Sequence, residues 1–182
     1  NIVKKKTLWN YEELTEKIIR VFSYEFVQEC YNHNMRQARE YASSLLGFNP
    51  KHHAYIDDVN GIFRKLETLE VDNYVDLVRR VESKEKCQNF VKKTGLPFEQ
   101  LILVLNHIFR WVLPHTIYLK ELIDEENKTH RKYIDELRSH DIRFNLDILE
   151  HGRTKEDRKK IITQTEAPEP LILELVNRAD MS

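Results

Sequence analysis

Eight histidines are the side chains of this sequence that could most readily bind a metal ion or move a proton. Zinc sites need histidines, cysteines or carboxylates at close and regular spacing, such as H-E-x-x-H or paired C-x-x-C. The sequence contains neither pattern, and the adjacent His52 and His53 would point about 100° apart on a helix. The histidines therefore predict no metal site, and nothing else in the sequence calls for a cofactor.

Neighbouring carboxylates are the next candidates, because general acid–base catalysis often uses such side chains. Asp57 and Asp58 are adjacent in the chain, which is more typical of a solvated helix surface than of a catalytic pair. His107 and His115 flank Trp111 and could line a pocket, although such residues more often belong to a core or its edge. Without a recognisable nucleophile or base, the sequence predicts a non-enzymatic protein.

Charge and cysteine content narrow the classes of partner. The 182 residues include 29 basic and 30 acidic side chains, so no overall positive field draws the protein to nucleic acid or to anionic lipid. Cys30 and Cys87 lack metal-type spacing, which suits free thiols in a reducing interior.

The most apolar stretch, 101–119, is interrupted by Arg110 and Pro114 and predicts a core helix rather than a membrane span. We therefore expect a cytoplasmic protein with no membrane partner.

Two segments of the chain, 66–106 and 137–177, carry nearly the same pattern of residues. When Leu66 is set against Leu137, the apolar positions of the two segments coincide. The coinciding pairs include Val71 with Ile142, Val75 with Leu146, and Val78 with Leu149. An internal repeat of this kind identifies the folding unit, and it predicts two copies of one helical building block.

Helical periodicity runs through the whole chain and predicts an all-α fold, since no strand pattern interrupts it. Within the repeated segments, Ser83 and Thr154 precede periodic stretches and suit helix N-caps. Pro97 and Pro168 suit the first turn of the closing helices, where a missing N–H breaks no helical hydrogen bond. The two segments therefore have the same predicted order of helices and turns.

These patterns divide the chain into four predicted parts. An N-terminal helical extension covers residues 1–49, and the first repeated unit covers 50–114. A charge-rich connecting helix covers 115–136, and the second repeated unit covers 137–182. One polar helix is thus expected to link two related units.

The closing parts of the repeated segments read TGLPFEQLILVLN at 94–106 and TEAPEPLILELVNRADM at 165–181. With the turns and short helices before them, they resemble tandem helix-hairpin-helix domains, most closely an uncharacterised double-hairpin family classed only as a domain of unknown function. The likeness covers residues 50–182. It implies two tandem helix-hairpin-helix (SAM-like) units after the N-terminal extension. In many such proteins a hairpin turn presents backbone N–H groups to a DNA phosphate without reading sequence.

The sequence departs from this family where the glycines of the first hairpin turns are expected. Glu70 and Asp141 stand there, and a carboxylate repels phosphate. In the later turn the first unit keeps Gly95, whereas the second has Glu166. The resemblance implies phosphate contacts at Lys92, Lys93, Thr94, Gly95 and Leu96, with Lys159 and Lys160 as a weaker second contact. The alternative is that these lysines are solvated helix faces and that Gly95 only ends a helix.

Two functions follow from this pattern. The first is a non-enzymatic module that binds the DNA backbone without sequence specificity, as the family resemblance implies. The second is a scaffold for protein–protein interaction or self-association that makes no nucleic-acid contact. The balanced charge of the chain favours the second slightly, because tight nucleic-acid binding usually needs a basic surface.

Overall fold

The computed structural model of the protein describes residues 11–123 and 127–182. Helices account for all the regular structure in these ranges, and the only β-type pairings there are two isolated bridges, Asn34 with Asn73 and Tyr118 with Phe144. The predicted all-α fold is therefore confirmed. The first ten residues of the predicted N-terminal extension lie outside the described residues.

The chain forms two compact units, which meet in sequence between Leu113 and Pro114. The first unit contains the described part of the predicted extension as well as the first repeated segment. The second unit contains the other repeated segment and the stretch before it. We describe the two units separately.

The described part of unit 1, residues 11–113, contains seven α-helices, a 3₁₀ turn at Pro50–His52 and a closing π-helical turn. The helices are α1 Tyr11–Phe22, α2 Glu25–Tyr31, α3 Met35–Leu46, α4 His53–Thr68, α5 Tyr74–Val81, α6 Lys84–Thr94 and α7 Phe98–His107, followed by the π turn Ile108–Val112. Helix α3 packs along α4, α4 packs on α7, and α1 lies against both α5 and α7. The centre of this unit is apolar, with Phe63, Leu66, Leu77, Leu101 and Leu105 almost completely buried.

Side-chain caps explain where several helices of unit 1 begin. The side chain of Asn34 accepts a hydrogen bond from the Gln37 N–H, and the side-chain oxygen of Gln37 accepts one from the Asn34 N–H, which forms a capping box at α3. The Ser83 hydroxyl accepts from the Lys86 N–H and so begins α6, as the sequence predicts. Pro97 differs from the prediction, because it stands just before α7 with φ −58° and ψ 137°.

In the residues that the structure describes, unit 2 contains four α-helices around a second apolar core. They are α8 Lys128–Ser139, α9 Asn145–His151, α10 Lys155–Thr165 and α11 Glu169–Asp180. Helix α11 packs against α9 and α10, and α10 also contacts α8. The core residues of this unit include Leu119, Leu137, Ile148, Ile172 and Leu175. Thr154 caps α10 as predicted, since its hydroxyl accepts from the Asp157 N–H.

The stretch before α8 differs from the predicted connecting helix at 115–136. Pro114 through Tyr118 are not helical, a single 3₁₀ turn follows at Leu119–Glu121, and α8 begins only at Lys128. The extended stretch pairs with the segment before α9, because Leu119 N–H donates to Arg143 O and Asn145 N–H donates to Ile117 O. These backbone hydrogen bonds replace those that a helix would have made.

The two units share a series of backbone features at the offset that sets Leu66 against Leu137. Helices α6 and α10 have the same length of 11 residues and correspond end to end. Among the described residues four have a positive φ, Glu70 and Gly95 in unit 1 and Asp141 and Glu166 in unit 2, and they fall at corresponding positions. Each repeated segment therefore turns at the same two points of the chain.

Within the described ranges, no helix combines the length and the apolar character that crossing a lipid bilayer requires.

Candidate nucleic-acid interface

The turn between α6 and α7, Thr94–Pro97, carries most of the phosphate contacts that the sequence predicts. Gly95 adopts the left-handed conformation with φ 71° and ends α6. Its N–H donates to Val91 O at 2.9 Å, and the Leu96 N–H donates to the Thr94 hydroxyl at 3.2 Å. Both N–H groups are thus engaged within the protein. A phosphate could take neither of them without breaking an internal hydrogen bond.

The earlier turn of unit 1, Leu69–Asn73, lies between α4 and α5, and its N–H groups from Leu69 to Asp72 are also hydrogen-bonded within the protein. Glu70 has φ 59°, and its N–H donates to Glu67 O at 3.0 Å. The Asp76 carboxylate accepts from the Asp72 N–H at 2.9 Å, in the place at the start of α5 that an anion would favour. This helix N-terminus therefore already holds an internal anion.

Arg80 holds the first turn in place. Its guanidinium pairs with the Asp76 carboxylate at 2.9 Å and also donates to the Glu70 carbonyl oxygen at 2.8 Å. Partial burial opposes ionisation of Asp76, but the hydrogen bonds from Arg80 and the Asp72 N–H, with the Arg79 charge nearby, lower the pKa of its carboxyl. Asp76 consequently stays ionised at neutral pH, and much of the Arg80 charge is neutralised by it.

An open groove of about 670 Å³ lies between the two turns and along α5 and α6. Its lining is Leu69, Glu70, Arg79, Arg80, Lys86, Asn89, Phe90, Lys93 and Thr94. Four of these side chains are cations and one is a carboxylate, so we call this surface the basic groove. A groove in which one sign of charge predominates raises the local concentration of ligands of the opposite sign.

The cations of the basic groove differ in how they are paired. Lys86 forms an ion pair with Glu82, one helical turn away, and Arg80 is paired as described above. Arg79 and Lys93 are exposed, and no ion pair with another described residue involves them. These two side chains are the groove's most available partners for an anion.

The structure brings together only some of the predicted contacts in unit 1. Lys93 and Thr94 line the basic groove. Lys92 and Gly95 are exposed beside it, and they are not part of its lining. Leu96 is only 3% exposed, because its apolar side chain packs into the core below the turn, so it offers no surface for a phosphate.

Sequence reasoning missed three groove cations, Arg79, Arg80 and Lys86. The Arg79-Arg80 pair is visible in the sequence, but it precedes Lys93 by more than a dozen residues. Helices α5 and α6 pack against each other and place these side chains with Lys93 around one groove. The available signal was the run of basic residues on both sides of the Ser83 cap.

Lys159 and Lys160 of unit 2 do not reproduce this arrangement. At the offset that aligns the units they correspond to Gln88 and Asn89, about one helical turn before the position of Lys93. Lys160 also forms an ion pair with Asp157 at 3.2 Å.

The unit 2 positions that correspond to the groove cations have lost their positive charge. Glu150, Asp157 and Gln164 stand where unit 1 has Arg79, Lys86 and Lys93. Glu166 occupies the left-handed position of Gly95, which adds a further carboxylate beside the second turn. The positions that correspond to these three groove cations therefore carry no positive charge in unit 2.

The other chemistry-bearing residues do not form a site with these. Among the described residues, no group of three or more His, Cys, Asp or Glu side chains is placed to hold a metal ion. Cys30 is exposed and Cys87 is buried, and both are free thiols. His107 is buried in unit 1, where its Nδ1 is 2.9 Å from the Tyr55 hydroxyl oxygen. His115 lies in unit 2 and is exposed.

No protein-family model matches the chain, and comparison with curated proteins and with solved structures finds no similar protein.

Proposed function

We propose that the protein is a non-enzymatic helical module that binds the phosphate backbone of nucleic acid through the basic groove of unit 1. The observation that supports this most directly is the clustering of four cations around one groove in a chain of net charge −1. Phosphate contacts of this kind hold a strand without reading its sequence. Binding without sequence specificity is therefore part of the proposal.

The proposed contacts come from side chains, because the N–H groups of Gly95 and Leu96, and those from Leu69 to Asp72 in the earlier turn, are already engaged. The Arg79 guanidinium offers several N–H donors in a planar fork, which suits a phosphate. The Lys93 ammonium lies on α6 at the other side of the groove and would hold a neighbouring phosphate as a point charge. In this respect the proposed mode differs from the one that the family resemblance implies.

The resemblance to tandem helix-hairpin-helix proteins gives the proposal further support. Both repeated segments end a helix in the left-handed conformation, turn, and begin a new helix, twice in the same order. In our proposal unit 1 keeps the phosphate-binding role, and unit 2 keeps only the architecture.

A charge-reversal experiment tests the proposed function. The double variant Arg79→Glu/Lys93→Glu removes the two most available cations, and the matched control Lys159→Glu/Lys160→Glu reverses two exposed lysines of unit 2. Fluorescence anisotropy with labelled single-stranded and duplex oligonucleotides at about 50 mM salt measures affinity, since phosphate contacts are strongest at low salt. We expect at least a tenfold loss of affinity in the unit 1 variant and less than a twofold loss in the control. Equal losses in both variants, or no binding by the native protein, would contradict the proposal.

A second candidate, a protein-interaction module, is favoured by one exposed aromatic residue. The Phe48 side chain follows α3 and is 84% exposed, which is unusual for a residue of this size. If the protein associates with itself through this side chain, light scattering across a concentration series should show larger species that Phe48→Ser abolishes. A monomer at every concentration would argue against self-association.

A further inference from the structure

Glu70 is the one carboxylate among the side chains that line the basic groove. It is exposed, and no ion pair with another described residue involves it, although four cations share the groove. A carboxylate accepts hydrogen bonds and donates none, so it cannot bond to an ionised phosphate. In a surface that suits phosphate, the partner of this carboxylate must therefore be a hydrogen-bond donor that lies beside the phosphate.

The backbone holds Glu70 firmly at the edge of the groove. The residue has φ 59°, its N–H donates to Glu67 O at 3.0 Å, and its carbonyl oxygen accepts from Arg80 at 2.8 Å. The same Arg80 side chain is part of the groove lining. The starting point of the Glu70 side chain is thus set by the same contacts that build the groove.

In nucleic acids, the donors that lie close to a phosphate belong to the sugar or to the base. Base amino groups vary with sequence, whereas the ribose 2′-hydroxyl is present at every nucleotide of RNA and absent from DNA. If the groove holds phosphates without reading bases, the strand can bind in any register, and a 2′-hydroxyl is present near the groove in each of them. This makes the sugar the more consistent partner of the carboxylate.

We infer that Glu70 accepts a hydrogen bond from a ribose 2′-hydroxyl, and that the basic groove binds single-stranded RNA in preference to DNA. The inference rests on the proposed function, because it requires that phosphates occupy the groove. Arg79 and Lys93 hold the strand through its phosphates, and Glu70 distinguishes its sugar. Without a 2′-hydroxyl, the carboxylate only repels the backbone.

The test compares oligouridylate with oligodeoxyuridylate of the same length, because the two differ only in the 2′-hydroxyl and neither has an amino group on the base. Affinities are measured for the native protein, for Glu70→Gly and for the matched control Asp141→Gly, which changes the corresponding turn residue of unit 2. Glycine adopts positive φ without strain, so both variants are expected to fold, and circular dichroism verifies this.

We expect the native protein and Asp141→Gly to bind the RNA about threefold to tenfold more tightly than the DNA, the range for one hydrogen bond to a charged group that stays partly solvated. Glu70→Gly should bind the two strands equally, with no loss of affinity for the DNA. Equal binding by the native protein, or a preference that persists in Glu70→Gly, would overturn the inference and leave the proposed function standing. Failure of the native protein to bind either strand would overturn both.

Discussion

Four residues with positive φ shape turns in the part of the chain that the structure describes, and only one of these four is a glycine. Glu70, Asp141 and Glu166 adopt φ between 55° and 61°, a region in which a side chain meets the following carbonyl group. At each of these residues the conformation lowers the stability of the folded protein, and the backbone hydrogen bonds of the turn offset this loss. The Glu166 N–H, for example, donates to Ile162 O at 2.8 Å.

Substitutions at the corresponding positions Gly95 and Glu166 should have opposite effects on stability. Gly95→Ala should lower the free energy of unfolding by about 1 kcal/mol. No atom lies within 4 Å of the added Cβ, so the cost is confined to the backbone. Glu166→Gly should raise the free energy of unfolding by up to about 1 kcal/mol. The greater conformational entropy of glycine in the unfolded chain reduces this gain.

Urea denaturation monitored by circular dichroism measures both changes. A loss of stability in Glu166→Gly would show that the carboxylate makes a stabilising contact that outweighs the strain at this position.

His107 is a buried residue of unit 1 whose protonation the fold opposes. It is 1% exposed, its Nδ1 is bonded to the Tyr55 hydroxyl, and its Nε2 has no hydrogen-bond partner among the described residues. Burial lowers the pKa of this imidazole to about 4. The ring is therefore neutral throughout the neutral pH range.

The buried His107 predicts a loss of stability in mild acid. Below its unfolded pKa of about 6.5 the unfolded chain binds a proton, whereas the folded chain binds none until the pH nears 4. The free energy of unfolding should therefore fall by about 2 kcal/mol between pH 7 and pH 5 on account of this group.

The variant His107→Gln isolates the effect, because its amide can still bond to Tyr55 and does not titrate. His33 also has a lowered pKa owing to burial, and it contributes equally to both proteins. Urea denaturation at the two pH values gives the comparison, and the native protein should lose more stability than His107→Gln. Identical losses in the two proteins would mean that His107 titrates normally in the folded state.

At the scale of elements, Asn145 joins three segments of unit 2. Its side-chain carbonyl accepts from the Ile117 N–H at 2.8 Å, and its amide nitrogen donates to His115 O at 2.8 Å and to the Ser182 hydroxyl at 3.2 Å. The residue is 1% exposed. One side chain thus ties the extended stretch before α8 and the C-terminal end of α11 to the start of α9.

Asn145→Ala should lower the free energy of unfolding by about 2 to 3 kcal/mol. The substitution leaves the Ile117 N–H and the His115 carbonyl oxygen without the part-buried hydrogen bonds that Asn145 makes to them, and each such loss is costly. Asn177→Ala is the matched control, because Asn177 is exposed and the change should stay below about 0.5 kcal/mol. Chemical denaturation of the two variants gives the comparison, and a loss of less than 1 kcal/mol in Asn145→Ala would indicate that water replaces the missing side chain.

At the scale of the whole molecule, the two units share a backbone pattern but differ in the charge of their corresponding surface residues. The chain has nearly equal numbers of acids and bases, yet the basic groove of unit 1 collects four cations. The matching positions of unit 2 carry carboxylates or neutral groups. A surface can therefore be basic although the molecule is not, and net charge alone gives no guide to it.

Together with the proposed function, this distribution predicts a shallow dependence of nucleic-acid affinity on salt. With two or three local phosphate contacts and no overall attraction, the logarithm of the association constant for a single strand should fall against the logarithm of salt concentration with a slope of about −2. In Arg79→Glu/Lys93→Glu the slope should approach zero. Anisotropy titrations between about 50 and 200 mM salt measure it, and a slope steeper than about −5 would place most contacts outside the groove.

The sequence alone determined the helical class of the protein and the positions of several helix ends. Periodic apolar residues and the caps Ser83 and Thr154 act over a few neighbouring residues, so they can be read without knowing the fold. The helix predicted for 115–136 does not form as one element, because pairing of its first residues with the segment before α9 outweighs local propensity. Tertiary contacts of this kind leave no periodic signal.

The candidate site was decided largely by tertiary structure. Lys93 and Thr94 were expected from the family resemblance, whereas Arg79 and Lys86 join them only because α5 and α6 pack side by side. The sequence also could not show that the N–H groups of Gly95 and Leu96 are engaged, since hydrogen-bond partners depend on the folded geometry. Short-range sequence patterns determine secondary structure, but a binding surface consists of residues that only the folded chain brings together.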